Sequence, residues 1–205
     1  MSQRIVAAVF ARGGSKGVPR KALREVAGRS LLERAIEQAL SCERIEAVFV
    51  STDDEEYASR AVAAGALVPF LRPSHLAGDC ASEIDAWRHL IEHLATIGNV
   101  PGTLVSVPPT APLRAVEDIE VAIELFDERG ADLVVSASES HHNPSFNMMI
   151  LDDNGWARLV TDPDRAIVRR QDAPTVWNLT TVVYVARVDY VLSTPSLFAG
   201  RVALS

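Results

Sequence analysis

A glycine-rich, basic segment near the N-terminus carries the residue types best suited to chemistry. Residues 12–21 contain three glycines and four cationic side chains. Glycines let a backbone approach a polyphosphate closely, and successive backbone N–H groups form a nest for anions. Cations in such a nest can also offset the charge of a triphosphate and of a pyrophosphate leaving group. The segment therefore predicts a polyphosphate site, and the alternative is a turn with solvated charges.

The spacing within this segment excludes two common phosphate-binding loops. A Walker loop requires Ser or Thr after its lysine, but Lys16 is followed by Gly17, and no Gly-x-Gly-x-x-Gly pattern is present. The segment directly follows an apolar run at residues 5–11, which predicts a buried strand. That run is too short, and lacks the cleavage pattern, to be a signal peptide.

The elements that must position this loop alternate between strands and helices. Apolar runs predict strands at residues 5–11, 47–50, 67–70, 103–107 and 133–136. Helical periodicity predicts helices at residues 30–40, 53–64, 82–96 and 116–129. This order predicts an α/β fold with a mostly parallel sheet covered on both faces. Ligands of such sheets bind beyond the carboxyl ends of the strands, so we expect the site at residues 12–21, 51–54, 71–83, 108–114 and 137–147.

The pattern changes in residues 139–180, which are rich in Asn, Asp, Pro and Arg. Only broken strands are predicted there, such as residues 147–151, before an apolar strand returns at residues 181–186. We therefore expect one domain over residues 1–205, from which residues 139–180 form an excursion and a candidate dimerisation arm.

Composition limits the possible partners and compartments. The formal net charge is −7, which argues against nucleic acid as a partner. No apolar stretch approaches the roughly 18 residues that suggest a membrane span. Cys42 and Cys80 lack metal-ligand companions and are interpreted as reduced thiols of a cytoplasmic protein.

Five segments, in order along the chain, resemble those of the acylneuraminate cytidylyltransferases. They are Ala-Arg-Gly-Gly-Ser-Lys-Gly-x-Pro-x-Lys at 11–21, Val-Ser-Thr-Asp at 50–53, Leu-Arg-Pro-x-x-Leu-Ala-x-Asp at 71–79, Pro-Thr-Ala-Pro-Leu-Arg at 109–114 and Arg-Gln-Asp-x-Pro at 170–174. The resemblance implies a three-layer, Rossmann-like nucleotidyltransferase fold with a small dimerisation excursion. It also implies that the anomeric hydroxyl of a 2-keto-3-deoxy sugar acid attacks the α-phosphorus of CTP, releasing pyrophosphate, with Mg²⁺ required.

The resemblance also assigns roles to individual residues. Arg12 and Lys21 are the expected catalytic residues. The expected nucleotide-binding residues are Ala11, Arg12, Gly13, Gly14, Ser15, Lys16, Lys21, Arg72 and Ser82. The expected sugar-binding residues are Thr110, Arg170 and Gln171. Family members are homodimers in which the excursion helps to build the neighbouring site.

Several positions depart from the family pattern. Ala22 replaces the usual asparagine, Pro108 replaces a glutamine, and Glu83 stands where a second serine is common. Thr180 and Thr181 replace Asn-Gly. The family's metal-binding Asp-x-Asp pair, expected beyond residues 182–186, is not found up to Ser205, so the metal ligands stay unknown. Besides a nine-carbon acid, two alternatives stay open: an eight-carbon ulosonic acid as substrate, and a non-catalytic CTP-binding paralogue.

Other candidate residues favour structural interpretations. Asp53 and Asp54 suit a helix N-terminus better than catalysis. His89 and His93, at i, i+4 spacing, suit an exposed helix face, and the adjacent His141 and His142 suit a surface. The remaining candidates are expected in the core, an interface or a polar turn: Trp87, Trp156 and Trp177, of which Trp177 is an alternative sugar contact, and the pair Asp162 and Asp164.

Overall fold

The computed structural model describes residues 4–78, 81–161, 167 and 169–205. Its strands are β1 (Ile5–Phe10), β2 (Glu25–Val26), β3 (Arg29–Ser30), β4 (Ala47–Ser51), β5 (Thr103–Ser106), β6 (Leu133–Glu139), β7 (Met149–Leu151), β8 (Ala157–Leu159), β9 (Trp177–Arg187) and β10 (Val202–Leu204). Its α-helices are α1 (Leu31–Leu40), α2 (Glu55–Ala63), α3 (Glu83–Thr96), α4 (Val116–Arg129) and α5 (Val188–Ser193). Short 3₁₀ turns occur at Lys21–Leu23, Ser74–Leu76 and Arg170–Asp172.

Six strands form one sheet in the order β10-β6-β9-β5-β1-β4. β1 pairs in parallel with both β4 and β5, and β10 pairs in parallel with β6. β9 runs antiparallel to β5, with Tyr184 opposite Ser106. The predicted mostly parallel α/β sheet is confirmed.

Helices cover both faces of the sheet because the side chains of β1 alternate between two cores. Ile5, Ala7 and Val9 join a core with buried side chains from α1, α2 and α4. Val6 and Ala8 join the other core, with α3 and α5. Since a strand directs successive side chains to opposite faces, this alternation produces the three layers.

Local sequence signals set several boundaries. Ser30 and Glu33 form a reciprocal capping box that begins α1. Gly130, at φ 54°, ends α4 in the left-handed conformation. Ala27 and Gly28 both have positive φ between β2 and β3, as a tight hairpin turn requires.

Some sequence-based boundaries are wrong. Residues 67–70 form no strand; Leu67 and Leu71 each make a single bridge, to Phe49 and Thr52 respectively. Pro69 lies between them and has no N–H to continue a ladder. The predicted strand at 147–151 is shortened to β7, and the strand at 181–186 begins earlier, at Trp177. The hairpin β2–β3, helix α5 and strand β10 were not predicted.

The chain divides into two compact units. The first comprises residues 1–136 and 181–205 and contains both cores. The second comprises residues 137–180 and includes the two-stranded β7–β8 ribbon. Within the described residues, no helix is both long and apolar enough to cross a membrane.

Candidate active site

A cleft of about 560 Å³ lies in the first unit, where β1 and β5 end. The glycine-rich loop that follows β1 lines it, as do Pro108 to Thr110 after β5. The N-terminus of α3, two residues of β9, Thr181 and Tyr184, and the segment that carries Arg72 and Gly78 also line it. The cleft therefore occupies the position at which open α/β sheets bind ligands.

The glycine-rich loop is held at its start by the strand next to β1 and the residues that follow it. Ala11 donates its backbone N–H to the Ser51 carbonyl at 3.1 Å, and Gly13 donates to Asp53 Oδ1 at 3.0 Å. A Cβ at position 13 would lie 2.9 Å from Asp54 Oδ2. A side chain at position 13 would therefore displace Asp54, which caps α2.

The end of the loop is held by Arg20, immediately before Lys21. Arg20 has a left-handed backbone, with φ 53°, which is uncommon for a residue with a Cβ. Its guanidinium donates to both Asp54 oxygens at 3.3 Å and to Glu56 at 2.7 Å, and it lies 5.2 Å from the centre of the Tyr57 ring. These contacts connect Arg20, the residue before Lys21, to the first turn of α2.

Asp53 and Asp54 therefore act structurally, as the sequence favoured. Asp54 caps α2, accepting N–H bonds from Glu56 and Tyr57 at 2.9 and 3.0 Å. Asp53 accepts from Gly13, and its Oδ1 lies 4.0 Å from a terminal nitrogen of Arg72.

Two arginines of the cleft wall approach each other. Arg12 donates to the Gly78 carbonyl at 2.8 Å. Arg72 is buried, and burial lowers the pKa of its guanidinium, with Asp53 opposing this effect and Arg12 adding to it. Arg72 Nε is buried with no hydrogen-bond partner among the described residues. Such an orphaned donor beside a cleft is suited to a ligand acceptor.

The structure brings most of the predicted nucleotide-binding residues together. Those that line the cleft are Ala11, Arg12, Ser15, Lys16, Lys21, Arg72 and Ser82. The other two, Gly13 and Gly14, are not part of the lining: Gly13 packs against Asp54, and Gly14 is exposed. The Ala22 side chain also reaches the cleft, where it is apolar.

The predicted sugar-binding residues are divided between the two units. Thr110 lines the cleft, and its hydroxyl oxygen lies 3.2 Å from that of Thr181. Arg170 and Gln171 belong to the second unit, where they line another cavity of about 390 Å³. Arg170 is exposed there and donates to the His141 carbonyl at 3.1 Å.

Arg114 is a positioning residue that the sequence did not single out. Its guanidinium is buried and donates to the Pro108 and Val182 carbonyls at 2.9 and 2.7 Å and to Gln38 Oε1 at 2.9 Å. Burial lowers the pKa of Arg114 to about 10, so it stays charged at neutral pH. It ties the segment carrying Thr110 to β9. Its place in the 109–114 segment was the signal that could have identified it.

Glu83 was noted in the sequence only as a departure from a pattern, yet it lines the cleft. Although the residue is exposed to the cleft, desolvation by surrounding protein raises the pKa of its carboxyl group. A side-chain interaction with Trp87, which falls short of a full hydrogen bond, opposes this rise. Burial, together with the charge of Glu83, raises the pKa of Tyr184.

The four candidate histidines lie outside the described lining of this cleft. His89 and His93 pack edge-on against Phe70, at ring-centre distances of 4.5 and 4.8 Å. His141 and His142 are exposed in the second unit. No group of three or more His, Cys, Asp or Glu residues in the described part of the chain could hold a metal ion.

The three tryptophans lie in two different environments. Trp87 is fully buried between Phe10 and Tyr184, whereas Trp156 and Trp177 are exposed. Cys42 is a buried free thiol. Asp79, Cys80, Asp162 and Asp164 lie outside the described residues.

Known proteins resemble this chain over nearly its whole length. It is 30% identical to a post-translational flagellin modification protein B of Campylobacter coli, over 98% of this chain and 84% of the relative. It is 31% identical to the CMP-N,N'-diacetyllegionaminic acid synthase of Campylobacter jejuni, with the same coverage of each chain.

The fold has a counterpart among solved structures. A CMP:2-keto-3-deoxy-manno-octonic acid synthetase complexed with CTP superimposes with a TM-score of 0.68 at 17% identity, over 95% of this chain and 80% of the other. At that identity the likeness establishes the nucleotidyltransferase fold alone. The sequence itself matches the cytidylyltransferase family over residues 6–198. The chain therefore belongs to the cytidylyltransferase family, whose members are nucleotidyltransferases that use CTP.

Proposed function

We propose that this cytidylyltransferase transfers CMP from CTP to the anomeric hydroxyl of a nonulosonic acid, with release of pyrophosphate. The observation that carries the proposal is the gathering of Arg12, Lys16, Lys21 and Arg72 around one cleft at the ends of β1 and β5. The acceptor class is suggested by the named synthase relative, which makes a CMP-activated legionaminic acid.

The cationic wall accounts for the nucleotide half of the reaction. A triphosphate needs its negative charge offset, and more charge develops on the pyrophosphate as the bond to the α-phosphorus breaks. Lys21, which directly follows the anchored Arg20, is suited to stabilise that leaving group. Arg12 and Arg72 line the same cleft, and the orphaned Arg72 Nε offers a donor to the nucleotide.

Two regions are proposed to serve the acceptor. Thr110 and Thr181 present hydroxyl groups on the wall of the cleft, where they can bond to sugar hydroxyls. Arg170 and Gln171 present a guanidinium and an amide in the second unit, and a guanidinium suits the carboxylate that every ulosonic acid carries.

Magnesium dependence is proposed from the family resemblance. Mg²⁺ usually keeps several waters and binds through one or two carboxylates and substrate phosphates. Glu83 is the single carboxylate in the described lining, and no cluster of three metal-binding residues occurs in the described ranges. These residues do not form a magnesium site by themselves, so no step is assigned to a metal ion. Omitting Mg²⁺ in the presence of a chelator, then restoring it, tests the requirement.

We further propose that the protein is a cytoplasmic homodimer formed through the second unit. The β7–β8 ribbon exposes large apolar side chains, with Met149 61%, Leu151 71% and Trp156 76% accessible. Exposed apolar side chains of this size are typical of interaction sites when they lie together, and a second copy of the chain would cover them. The buried free thiol of Cys42 and the use of CTP accord with a cytoplasmic enzyme.

Pyrophosphate release tests the activity directly. The protein is incubated with CTP, Mg²⁺ and, in turn, legionaminic, pseudaminic and N-acetylneuraminic acids and an eight-carbon ulosonic acid, with UTP as the nucleotide control. We expect release with CTP and a nine-carbon acid. Release with the eight-carbon acid alone would refute the acceptor class, and CTP binding without release from any acid would indicate a non-catalytic paralogue.

Sedimentation analysis tests the assembly. We expect a dimer that dissociates when Leu151 is replaced by Lys, because a charge cannot be buried in the apolar contact without a partner. The exposed Leu113→Lys in the first unit is the matched control and should leave the dimer intact. A monomeric wild-type protein at micromolar concentration would contradict the proposal.

A further inference from the structure

We propose, on the basis of the function above, that Glu83 is the general base that takes the proton from the attacking hydroxyl group of the acceptor. Glu83 is the first residue of α3 and lines the cleft together with the cationic loop and Tyr184. The reaction needs such a group, because an alcohol attacks phosphorus effectively only as its proton is removed.

The composition of the cleft leaves Glu83 as the group able to accept that proton. Among the described lining residues it is the single carboxylate, and none is a histidine. Tyr184 stays protonated because its own burial and the charge of Glu83 raise its pKa. Lysine and arginine side chains offer hydrogen-bond donors and no acceptor.

The charge balance of the cleft also argues against a role in binding alone. Both substrates are anions, so a carboxylate on the wall repels them and lowers their affinity. Glu83 forms no ion pair within the described residues, although cations line the same cleft. A carboxylate that becomes neutral by accepting a proton during the reaction loses this repulsion as the bond to phosphorus forms.

The surroundings of Glu83 suit proton transfer. It interacts with Trp87, which is fully buried against Phe10 and Tyr184, so an apolar aromatic wall backs the carboxyl group. Desolvation there raises the pKa of Glu83 above its ordinary value, with the contact to Trp87 opposing. A base is most effective when its pKa approaches the working pH.

The proposed step moves one proton and exchanges one bond at the α-phosphorus. The acceptor oxygen forms a bond to the α-phosphorus while its proton moves to a Glu83 oxygen. The bond between the α-phosphorus and the bridging oxygen breaks, and its electron pair leaves with pyrophosphate. Glu83 then returns the proton to solvent through the open cleft.

Glu83→Gln keeps the shape of the side chain and removes the basic group. With an acceptor on which the wild-type enzyme is active, we expect single-turnover rates to fall about 10²–10⁴-fold, the usual contribution of a general base. The CTP dissociation constant, measured by calorimetry, should stay the same or decrease, since a repulsive charge is lost. In Glu83→Ala, which leaves room for a small external base, added formate should restore part of the rate.

The pH profile separates this role from a structural one. The wild-type rate should rise with pH through one ionisation above the ordinary glutamate pKa of about 4.3, and Glu83→Gln should lack this rise. The other charged or titratable groups facing the cleft are Tyr184, Arg12, Lys16, Lys21 and Arg72, and all of them are present in both proteins. Glu92→Gln, on an exposed part of α3, is the matched control.

Three results would overturn the proposal. The first is a Glu83→Gln rate close to wild type in the same assay. The second is a rate restored by raised Mg²⁺, which would make Glu83 a metal ligand. The third is a changed preference for CTP over UTP with an unchanged pH profile, which would make Glu83 a reader of the base. A failure of the wild-type enzyme with every acceptor would instead refute the proposed function itself.

Discussion

The two units of this protein hold their side chains in different ways. In the first, apolar residues of β1 and the surrounding helices are buried in two cores, one on each face of the sheet. In the second, Asn143 is the one buried residue among those described, and the large apolar side chains of β7 and of Trp156 are exposed. A unit with its own core can hold functional side chains in place by itself. A unit without a core depends on hydrogen bonds within its turns and on another surface to cover its apolar side chains.

The same contrast applies to the candidate site residues. In the first unit the guanidinium groups of Arg12, Arg20 and Arg72 each contact other protein groups. In the second unit Arg170 is exposed and makes one backbone hydrogen bond, while Asn143 holds the local chain by donating to the Pro174 carbonyl at 2.7 Å. We therefore expect substitutions in the first unit to change stability and turnover, and those in the second to change acceptor affinity.

The largest effect is expected for Arg114→Met. This change removes the buried guanidinium and leaves the part-buried carbonyls of Pro108 and Val182 without their donor, and each hydrogen-bonding group left unsatisfied costs about 1–3 kcal/mol. The free energy of unfolding, measured with urea, should fall by about 3 kcal/mol. The exposed Arg158→Met in the second unit is the control. Equal losses of unfolding free energy in Arg114→Met and Arg158→Met would contradict the expected difference between the two units.

Lys21→Ala should lower kcat/KM for CTP by at least about a hundredfold, because one preorganised charge at the transition state is lost. Steady-state pyrophosphate release measures this, and the thermal midpoint should stay close to wild type. Arg29→Ala removes an equal charge from the β2–β3 hairpin, outside the cleft lining, and should leave turnover unchanged. Near-normal turnover in Lys21→Ala would refute the phosphate-site assignment of the loop.

A smaller effect, confined to the acceptor, is expected for Arg170→Ala. Loss of a charged hydrogen bond to the substrate carboxylate should raise the KM of the sugar acid about tenfold and leave the KM of CTP unchanged. Arg158→Ala, also in the second unit, is the matched control. An unchanged KM for the sugar acid would show that the second unit does not contact the acceptor through Arg170.

The smallest effect is a pH-dependent one at Asp132, before β6. Its carboxylate accepts from the Arg201 backbone N–H at 2.8 Å and pairs with the Arg187 and Arg201 side chains. The backbone hydrogen bond and then the Arg201 side chain lower the pKa of Asp132, and both outweigh desolvation. The folded state therefore holds the ionised form more tightly than the unfolded state does.

This stabilisation should be complete above the unfolded Asp pKa of about 3.9 and should be lost as the pH falls through the lower folded value. Asp132→Asn should cost about 1 kcal/mol at pH 7, since its arginine partners are partly exposed, and almost nothing at very low pH. Thermal unfolding at several pH values measures the difference. A cost that persists unchanged in acid would contradict the ionic origin.

Much of the fold could be predicted because its signals are local. The apolar run of β1, the periodicity of α1 and α4 and the cap at Ser30 each act over a few residues. Short elements escaped prediction for the opposite reason. β10 has three residues, which is too few to show a hydrophobic periodicity, and it forms by pairing in parallel with β6. Residues 67–70 look like a strand until Pro69 interrupts the ladder.

The amino-acid sequence by itself determined the α/β class, the position of the glycine-rich loop after the first strand, and the family. These follow from residue types and spacings that need no partner elsewhere in the chain. Only the tertiary structure decided that Arg20 is held by Asp54 across 34 positions, that buried Arg114 joins the Thr110 segment to β9, and that Glu83 lines the cationic cleft. The physical reason is that burial, pKa and charge pairing depend on neighbours that folding brings together from distant parts of the chain.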